Sequence, residues 1–221
     1  MTCKYYTLFH KTLYSLKCLG KIFRVGNRRN IIANAVQSLC ECRTAKTERM
    51  TRETQIVIEL NIDGSGKFDV TTENQFLKHM IETLARYSNM DITMTATGDN
   101  DHHLIEDVAI TLGKTFAKAL DGSPIERMAT ATVVMDDALI MTSLDIVDRP
   151  YCEADCPDPI YTHFFRSFAM SAAISLHIVQ FRGFDDHHII EASFKSMGMA
   201  LKAAVKPRDT ELSTKDKVME A

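Results

Sequence analysis

DHHLIEDVAI, at residues 101–110, and DHHIIEASFK, at residues 186–195, share the pattern Asp-His-His-x-x-Glu. The paired histidines of the two stretches lie 85 positions apart, and two isolated histidines, His79 and His163, lie 84 positions apart. Motifs that recur at one spacing indicate internal duplication. We therefore expect two similar halves, each with one isolated histidine and one histidine pair.

The segments around these histidines support the duplication. In the first half, alternating residues on both sides of DGSG (63–66) predict a strand pair, followed by a helix at 74–88, a strand at 90–97 and a long helix capped by Asp101. In the second half, residues 128–147 predict two strands, followed by a helix at 160–173, a strand at 174–181 and the second long helix. The sequence thus predicts an α+β fold of two ββαβα halves, each with its helices on one face of a sheet.

Composition excludes several classes of protein. The net charge of −3 is too small to indicate a nucleic-acid partner, and no apolar run approaches the length of a membrane span. Six cysteines in 221 residues are too few for a secreted disulfide framework, so we expect reduced thiols. The spacings Cys40-x-Cys42 and Cys152-x3-Cys156 are not the usual zinc-binding CxxC, which favours ordinary thiols over a zinc site.

The first 42 residues differ from the rest of the chain. Up to Cys40 they contain seven Lys or Arg residues and no Asp or Glu. A basic leader without acidic residues is typical of an organelle transit peptide, but an extension from a misassigned start codon gives the same pattern. We expect no ordered catalytic role here, and divide the chain into an extension at 1–42, a first half at 43–125 and a second half at 126–221 that ends in a phosphate-binding tail.

The histidine pattern points to metal binding. Neighbouring residues of a helix point about 100° apart, whereas residues three or four apart share a face. His102 and His103 therefore face two directions, and each can pair with Glu106. With the second motif and the isolated histidines, six imidazoles and two carboxylates suffice for two sites of three His and one Glu with open positions. Such donors suit Mn, Fe, Zn or Ni, and ligands from neighbouring subunits would complete the sites.

The motifs FLKHM, DHHLIEDVAITLG, MDDAL, HFFRSFA and HHIIEASFK resemble those of the imidazoleglycerol-phosphate dehydratases, and the resemblance spans about residues 43–216. It implies a ribosomal protein S5 domain 2-like duplicated fold, a cytoplasmic shell of 24 subunits, and a pair of Mn2+ ions in each active site. It also implies a reaction, the dehydration of imidazole glycerol phosphate to imidazole acetol phosphate in histidine biosynthesis. The implied metal ligands are His79, His102, His103, Glu106, His163, His187, His188 and Glu191. Glu53 is the implied catalytic acid or base, and the implied phosphate ligands are Arg127, Arg149, Lys195, Ser213 and Lys215.

Two other functions remain open at this stage. A metal-dependent hydrolase would use water activated at the same ions, but it would need no phosphate ligands. A metal-binding or shell-forming protein without catalysis would need neither those ligands nor Glu53. Arg127, Arg149 and Lys195 therefore favour the dehydratase.

Overall fold

The computed structural model describes residues 43–120 and 122–214. The first half contains β1 (Thr44–Met50), β2 (Thr54–Asn61), β3 (Phe68–Thr72), α1 (Gln75–Ser88), β4 (Asp91–Gly98) and α2 (Asp101–Ala119). The second half contains β5 (Met128–Met135), β6 (Ala138–Ile146), β7 (Tyr151–Ala154), α3 (Pro159–Ala172), β8 (Ile174–Arg182) and α4 (Asp186–Ala204). The basic leader, with Cys40 and Cys42, and Lys215 lie outside the described residues, and what the sequence predicts for them stays a prediction.

The two halves have the same topology. Each forms a four-stranded sheet, in the order β1-β2-β4-β3 in the first half and β5-β6-β8-β7 in the second. In each sheet the first three strands in this order pair antiparallel, and the last strand pairs parallel to its neighbour. The predicted α+β fold with duplicated halves is confirmed.

Each half has one more strand than the sequence predicts. The additional strands are β1 and β7, and both lie at an edge of their sheet. In β1 only Ala45 is buried, and β7 has just four residues, so neither shows the apolar alternation of a half-buried strand. The central strand β2, in contrast, buries Ile56, Ile58 and Leu60 on one face.

The strand pair predicted across DGSG is wrong. Both flanking segments are strands, but β2 pairs with β1 and β4, and β3 pairs only with β4. The Asp91 side chain at the start of β4 accepts hydrogen bonds from the amides of Ser65 and Lys67, both at 2.8 Å. These bonds tie the loop to β4, so β3 continues on the far side of β4 instead of folding back on β2.

Polar caps start all four helices of the described residues. Asn74, Asn100, Asp158 and Asp185 each accept hydrogen bonds from amides of the first turn. The prediction that Asp101 caps α2 is wrong by one residue, because Asn100 accepts from the amide of His103 and Asp101 is already helical. Each histidine pair therefore lies in the first turn of its helix, beside the loop that precedes it.

The helices of one half pack against those of the other, α2 against α3 and α1 against α4. Two glycines at equivalent positions allow these close contacts. A Cβ atom on Gly113 of α2 would lie 2.7 Å from the carbonyl oxygen of Phe168, and one on Gly198 of α4 would lie 3.0 Å from Cβ of Tyr87. These contacts bring each histidine-pair helix beside the isolated histidine of the opposite half.

Candidate functional site

The first cluster of candidate ligands joins α1 to α4. Its members are His79, His187 and Glu191, whose donor atoms all lie within 4.8 Å of one another. Glu191 Oε2 is 3.1 Å from Nε2 of His79 and 3.3 Å from Nε2 of His187. Glu191 is only 6% exposed, whereas both imidazoles are exposed. The cluster therefore has a buried carboxylate and an open side formed by two rings.

The second cluster joins α2 to α3 in the same way. His102, Glu106 and His163 place their donor atoms within 4.8 Å. Glu106 Oε1 is 3.0 Å from Nε2 of His163, and Glu106 Oε2 is 3.8 Å from Nε2 of His102. Nε2 of His163 is inaccessible to solvent and has no hydrogen bond of acceptable angle despite this proximity. Glu106 thus lies close to this buried ring nitrogen without hydrogen-bonding to it, an arrangement that suits two ligands of one metal ion.

Both clusters are built across the duplication. Each takes one histidine from a short helix of one half and a His-Glu pair from the long helix of the other half. The sequence predicts three histidines and one glutamate per site, but each cluster in the described chain contains two histidines and one glutamate. His103 and His188 lie outside both clusters, in keeping with the prediction that each pair faces two directions.

His103 and His188 are each held by an aspartate. Asp99 Oδ1 is 2.8 Å from Nδ1 of His103, and Asp137 Oδ1 is 2.5 Å from Nδ1 of His188. These hydrogen bonds raise the pKa of both histidines, with burial opposing the shift. A carboxylate at Nδ1 fixes the proton there and leaves Nε2 as the nitrogen that can bind a metal.

Asp137 itself is firmly held. Its Oδ2 accepts hydrogen bonds from the amides of Phe184 at 2.7 Å and Asp185 at 3.2 Å. The Phe184 bond is the largest cause of a lowered pKa at Asp137, followed by the bond from His188. The β5–β6 turn thus both fixes His188 and supports the start of α4.

Glu53, the candidate acid or base, lies in the turn between β1 and β2 and belongs to neither cluster. Its Oε2 is 3.7 Å from Nδ1 of His103, and its side chain is 57% exposed. The Thr51 hydroxyl oxygen accepts from the amides of Glu53 and Thr54, and the Thr54 hydroxyl donates to buried Asp107 at 2.6 Å. The turn is therefore rigidly tied to α2, the helix that carries His102, His103 and Glu106.

Lys195, a predicted phosphate ligand, lies beside the first cluster. Its Nζ is 2.8 Å from Oε1 of Glu191, one turn earlier on α4. Burial raises the pKa of Glu191, but the hydrogen bonds from Lys195 and His79 outweigh it and the net pKa is lowered. Glu191 is thus kept ionised, which is the form that binds a metal.

The other predicted phosphate ligands lie in different surroundings. Arg127 donates through Nε and Nη2 to Asp145 at 2.5 and 2.9 Å, and through Nη1 to the Leu212 carbonyl at 2.8 Å. Arg127 therefore anchors the C-terminal segment that carries Ser213. Arg149 is exposed after β6. Within the described part of the chain, Arg127, Arg149 and Lys195 share no common partner.

Asp99, Asp107 and Asp145 are supporting residues that the sequence analysis missed. Asp99 had a readable signal, because it precedes His103 by four residues and adjoins the cap of α2. Asp107 and Asp145 contact residues distant in sequence, Arg49 at 2.8 Å and Arg127 at 2.5 Å, so no local pattern could reveal them.

Two of the six cysteines lie within the described residues. Cys152 and Cys156 are free, and burial raises the pKa of each to about 11. The neutral thiol is the favoured form of both side chains, and the prediction of ordinary cysteines stays a prediction. No helix in residues 43–120 or 122–214 is both long and apolar enough to span a membrane.

Comparison with known proteins agrees with this geometry. A family model described as "Imidazoleglycerol-phosphate dehydratase" matches residues 72–201, more than half of the chain. The chain belongs to the imidazoleglycerol-phosphate dehydratase family. The match includes both clusters, so the duplicated His-His-x-x-Glu pattern lies within the part of the chain that defines the family.

The similarity to individual members of the imidazoleglycerol-phosphate dehydratase family extends over nearly their whole length. The protein of that name from Methanothermobacter thermautotrophicus is 44% identical over 191 residues, which is 80% of this chain and 97% of the relative. The one from Caldanaerobacter subterraneus subsp. tengcongensis is 43% identical over 178 residues, which is 74% and 92% respectively. The crystal structure of the Pyrococcus furiosus protein in complex with (S)-C348 has a TM-score of 0.69 at 35% identity, covering 77% of this chain and 99% of the solved one.

Proposed function

We propose that this chain dehydrates imidazole glycerol phosphate to imidazole acetol phosphate, with loss of water, in histidine biosynthesis. The observation that carries the proposal is the pair of equivalent His/Glu clusters in a chain whose relatives bear the name of that enzyme. We include a cytoplasmic location, which the family resemblance implies.

The proposal includes one Mn2+ ion in each cluster. His79, His187 and Glu191 would hold one ion, and His102, Glu106 and His163 the other. Imidazole nitrogen with carboxylate oxygen is a donor set that suits manganese and its transition-metal neighbours, and the buried Nε2 of His163 fits it. When bound, the ions supply Lewis acidity that stabilises negative charge on the imidazole ring of the substrate.

Glu53 is the residue proposed to move protons. The reaction removes a proton from carbon and delivers one to a departing hydroxyl, and a carboxylate in hydrogen-bonding reach can do both. Glu53 combines an exposed carboxylate with a turn that Thr51 and Asp107 hold in place. Its position beside His103 brings it close to a candidate ligand without making it part of a cluster.

The phosphate group of the substrate is proposed to bind a set of side chains that includes Arg127, which lies beside the C-terminal segment. The guanidinium of Arg127 has more N–H groups than its bonds to Asp145 and Leu212 use, so it can anchor the segment and still donate to phosphate. Binding of this unreacting group orients the ring for reaction. Lys195, Arg149, Ser213 and Lys215 complete the proposed set.

We also propose that copies of the chain assemble, in the 24-subunit shell that the family resemblance implies. Each cluster contains two histidines and one glutamate of its own chain. His103 and His188 belong to neither cluster, and each donates from Nδ1 to an aspartate. Their Nε2 atoms would complete clusters of neighbouring copies. Asp136 Oδ2, 3.3 Å from Nε2 of His188, is on a 70% exposed side chain that can turn away.

An assay of the purified full chain tests the function. Incubation with MnCl2 and imidazole glycerol phosphate should give imidazole acetol phosphate, detected by the absorbance of its enol form in alkali. Failure to form the ketone with Mn2+, Fe2+ or Zn2+ would contradict the proposal.

Replacing Glu53 with glutamine should lower kcat by about a hundredfold or more while metal content is unchanged, because proton transfer by a positioned side chain contributes about 10²–10⁴-fold. The measurements are steady-state kinetics and metal analysis of dialysed protein. Glu59, an exposed glutamate of β2, provides the matched control, and Glu59→Gln should turn over like the parent. Equal kcat for Glu53→Gln and the parent would exclude Glu53 from proton transfer.

A further inference from the structure

The duplication places a carboxylate at the same kind of position in both halves. In each half the turn between the first two strands presents an acidic side chain to Nδ1 of the second histidine of the pair. In the first half this side chain is Glu53, 3.7 Å from His103, and in the second it is Asp137, 2.5 Å from His188. The two turns are equivalent in topology, but only the second carboxylate forms a hydrogen bond with its histidine.

The difference arises from one residue. In the first half, Nδ1 of His103 already has a partner in Asp99, at 2.8 Å. The 85-residue offset that relates His103 to His188 relates Asp99 to Phe184, which is 87% exposed and has no polar group. At the position equivalent to Asp99, the second half therefore has no side chain that could replace Asp137 as the acceptor for Nδ1 of His188.

The neighbouring side chains also favour Asp99 as the hydrogen-bond acceptor for Nδ1 of His103. The side-chain oxygen of Asn100 accepts from the amide of His103, which turns the Asn100 Nδ2 toward Oδ1 of Asp99 at 3.0 Å. Nδ2 of Asn100 also lies 2.8 Å from Nδ1 of His103, but when Nδ1 carries its proton the amide donates to Asp99 instead. Asp99 Oδ1 is then the common acceptor for both groups.

We propose that Asp99 is a positioning residue whose side chain holds His103 in place of Glu53, and so leaves the Glu53 carboxylate free for proton transfer. The role of Glu53 rests on the proposed function, whereas the exchange of partners at His103 does not. In the second half Asp137 holds His188 itself and is not available as an acid or base.

The turn makes Glu53 the natural replacement if Asp99 is lost. The amide of Asp99 donates to the carbonyl oxygen of Glu53 at 2.9 Å, and the Thr51 and Thr54 bonds are also independent of the Asp99 side chain. Removing that side chain therefore leaves Glu53 near His103. A rotation of the Glu53 side chain would close the remaining distance and restore the arrangement seen at Asp137 and His188.

The test compares Asp99→Ala, Glu53→Gln and the double variant in the full chain, with metal affinity measured by competition with a chelator and kinetics measured separately. Each single variant keeps one carboxylate near His103, so both should bind Mn2+ like the parent. The double variant should bind about 10–100-fold more weakly, the usual effect of losing the partner of a metal-binding histidine. Asp99→Ala should also lose at least about tenfold in kcat with an unchanged KM, because Glu53 is now engaged.

Two further variants sharpen the result. Asp99→Asn keeps an oxygen that can accept from Nδ1, and it should recover most of the lost kcat. Asp137→Ala removes the acceptor at Nδ1 of His188, and the second half has no counterpart of Asp99 to replace it, so this single change should weaken metal binding. A crystal structure of Asp99→Ala should show Glu53 within hydrogen-bonding distance of His103.

Several outcomes would overturn the proposal. If Asp99→Ala alone weakens metal binding as much as the double variant, Glu53 does not replace it. A parental kcat in Asp99→Ala would show that Asp99 does not keep Glu53 free. If the parent chain shows no dehydratase activity, the proposed function fails, but the metal affinities of the three variants still decide which carboxylate holds His103.

Discussion

Replacing Glu191 with glutamine is expected to remove the metal ion from the first cluster and to lower kcat by at least about a hundredfold, since loss of a residue that merely supports a ligand already costs about 10–100-fold. Glu191 is the common partner of His79, His187 and Lys195, and it is almost fully buried. A neutral amide keeps its size but loses the charge that draws a cation into this site. Metal content per chain, measured on dialysed protein, should fall to about half of the parental value.

Glu106→Gln is the matched variant in the second cluster. It should remove one metal ion in the same way, without leaving a lysine unpaired, because Glu106 contacts only His102 and His163 among the described charged residues. Only Glu191→Gln leaves Lys195 without its carboxylate partner. Equal metal loss in both variants would therefore show that the loss follows from the missing glutamate ligand and not from misfolding caused by an unpaired Lys195. Parental metal content and turnover in both variants would contradict the assignment of the clusters.

Replacing Gly113 with alanine is expected to destabilise the fold by about 1–3 kcal/mol, the usual range for overpacking. In an unstrained helix the same change stabilises by about 1 kcal/mol, so the sign of the effect is informative. Here the new Cβ would lie 2.7 Å from the Phe168 carbonyl oxygen and 2.8 Å from Cβ of Ser171, so α2 and α3 must move apart. The measurement is thermal unfolding monitored by far-UV circular dichroism, because the chain has no tryptophan whose fluorescence could report on unfolding.

Gly198→Ala is the matched control for this prediction, because it lies at the equivalent place where α4 meets α1. Its nearest contacts are longer, at 3.0 to 3.2 Å, so the loss of stability should be smaller. Gly113→Ala should also weaken metal binding at the second cluster, where His163 of α3 meets His102 of α2. A stabilised Gly113→Ala variant would show that the close helix contact does not limit the fold.

The sequence predicted the parts of the fold that repeat a strong local pattern. The long helices that begin at residues 101 and 186, the helices that carry His79 and His163, and the strand around Ile92 all have clear periodicity or caps. The edge strands escaped prediction, because β1 buries only Ala45 and β7 contains four residues. The pairing predicted across DGSG was wrong because the amides of Ser65 and Lys67 donate to Asp91, which lies more than 20 residues further along the chain. No local pattern reveals such a contact.

The sequence predicted which side chains are candidate ligands but not how the structure arranges them. Duplication and helical spacing selected the histidines and glutamates, and helical spacing indicated that His102 and His103 face different directions. Which histidine joins which glutamate depends on the contacts of α1 with α4 and of α2 with α3. Those contacts are set by packing at Gly113 and Gly198, which no local pattern specifies.

The central claim, that each cluster holds a metal ion, is tested most directly by anomalous diffraction from crystals of the Mn2+-loaded protein near the manganese absorption edge. We expect one strong peak among His79, His187 and Glu191, and a second among His102, Glu106 and His163. Peaks elsewhere, or protein that binds manganese with neither cluster occupied, would contradict the account.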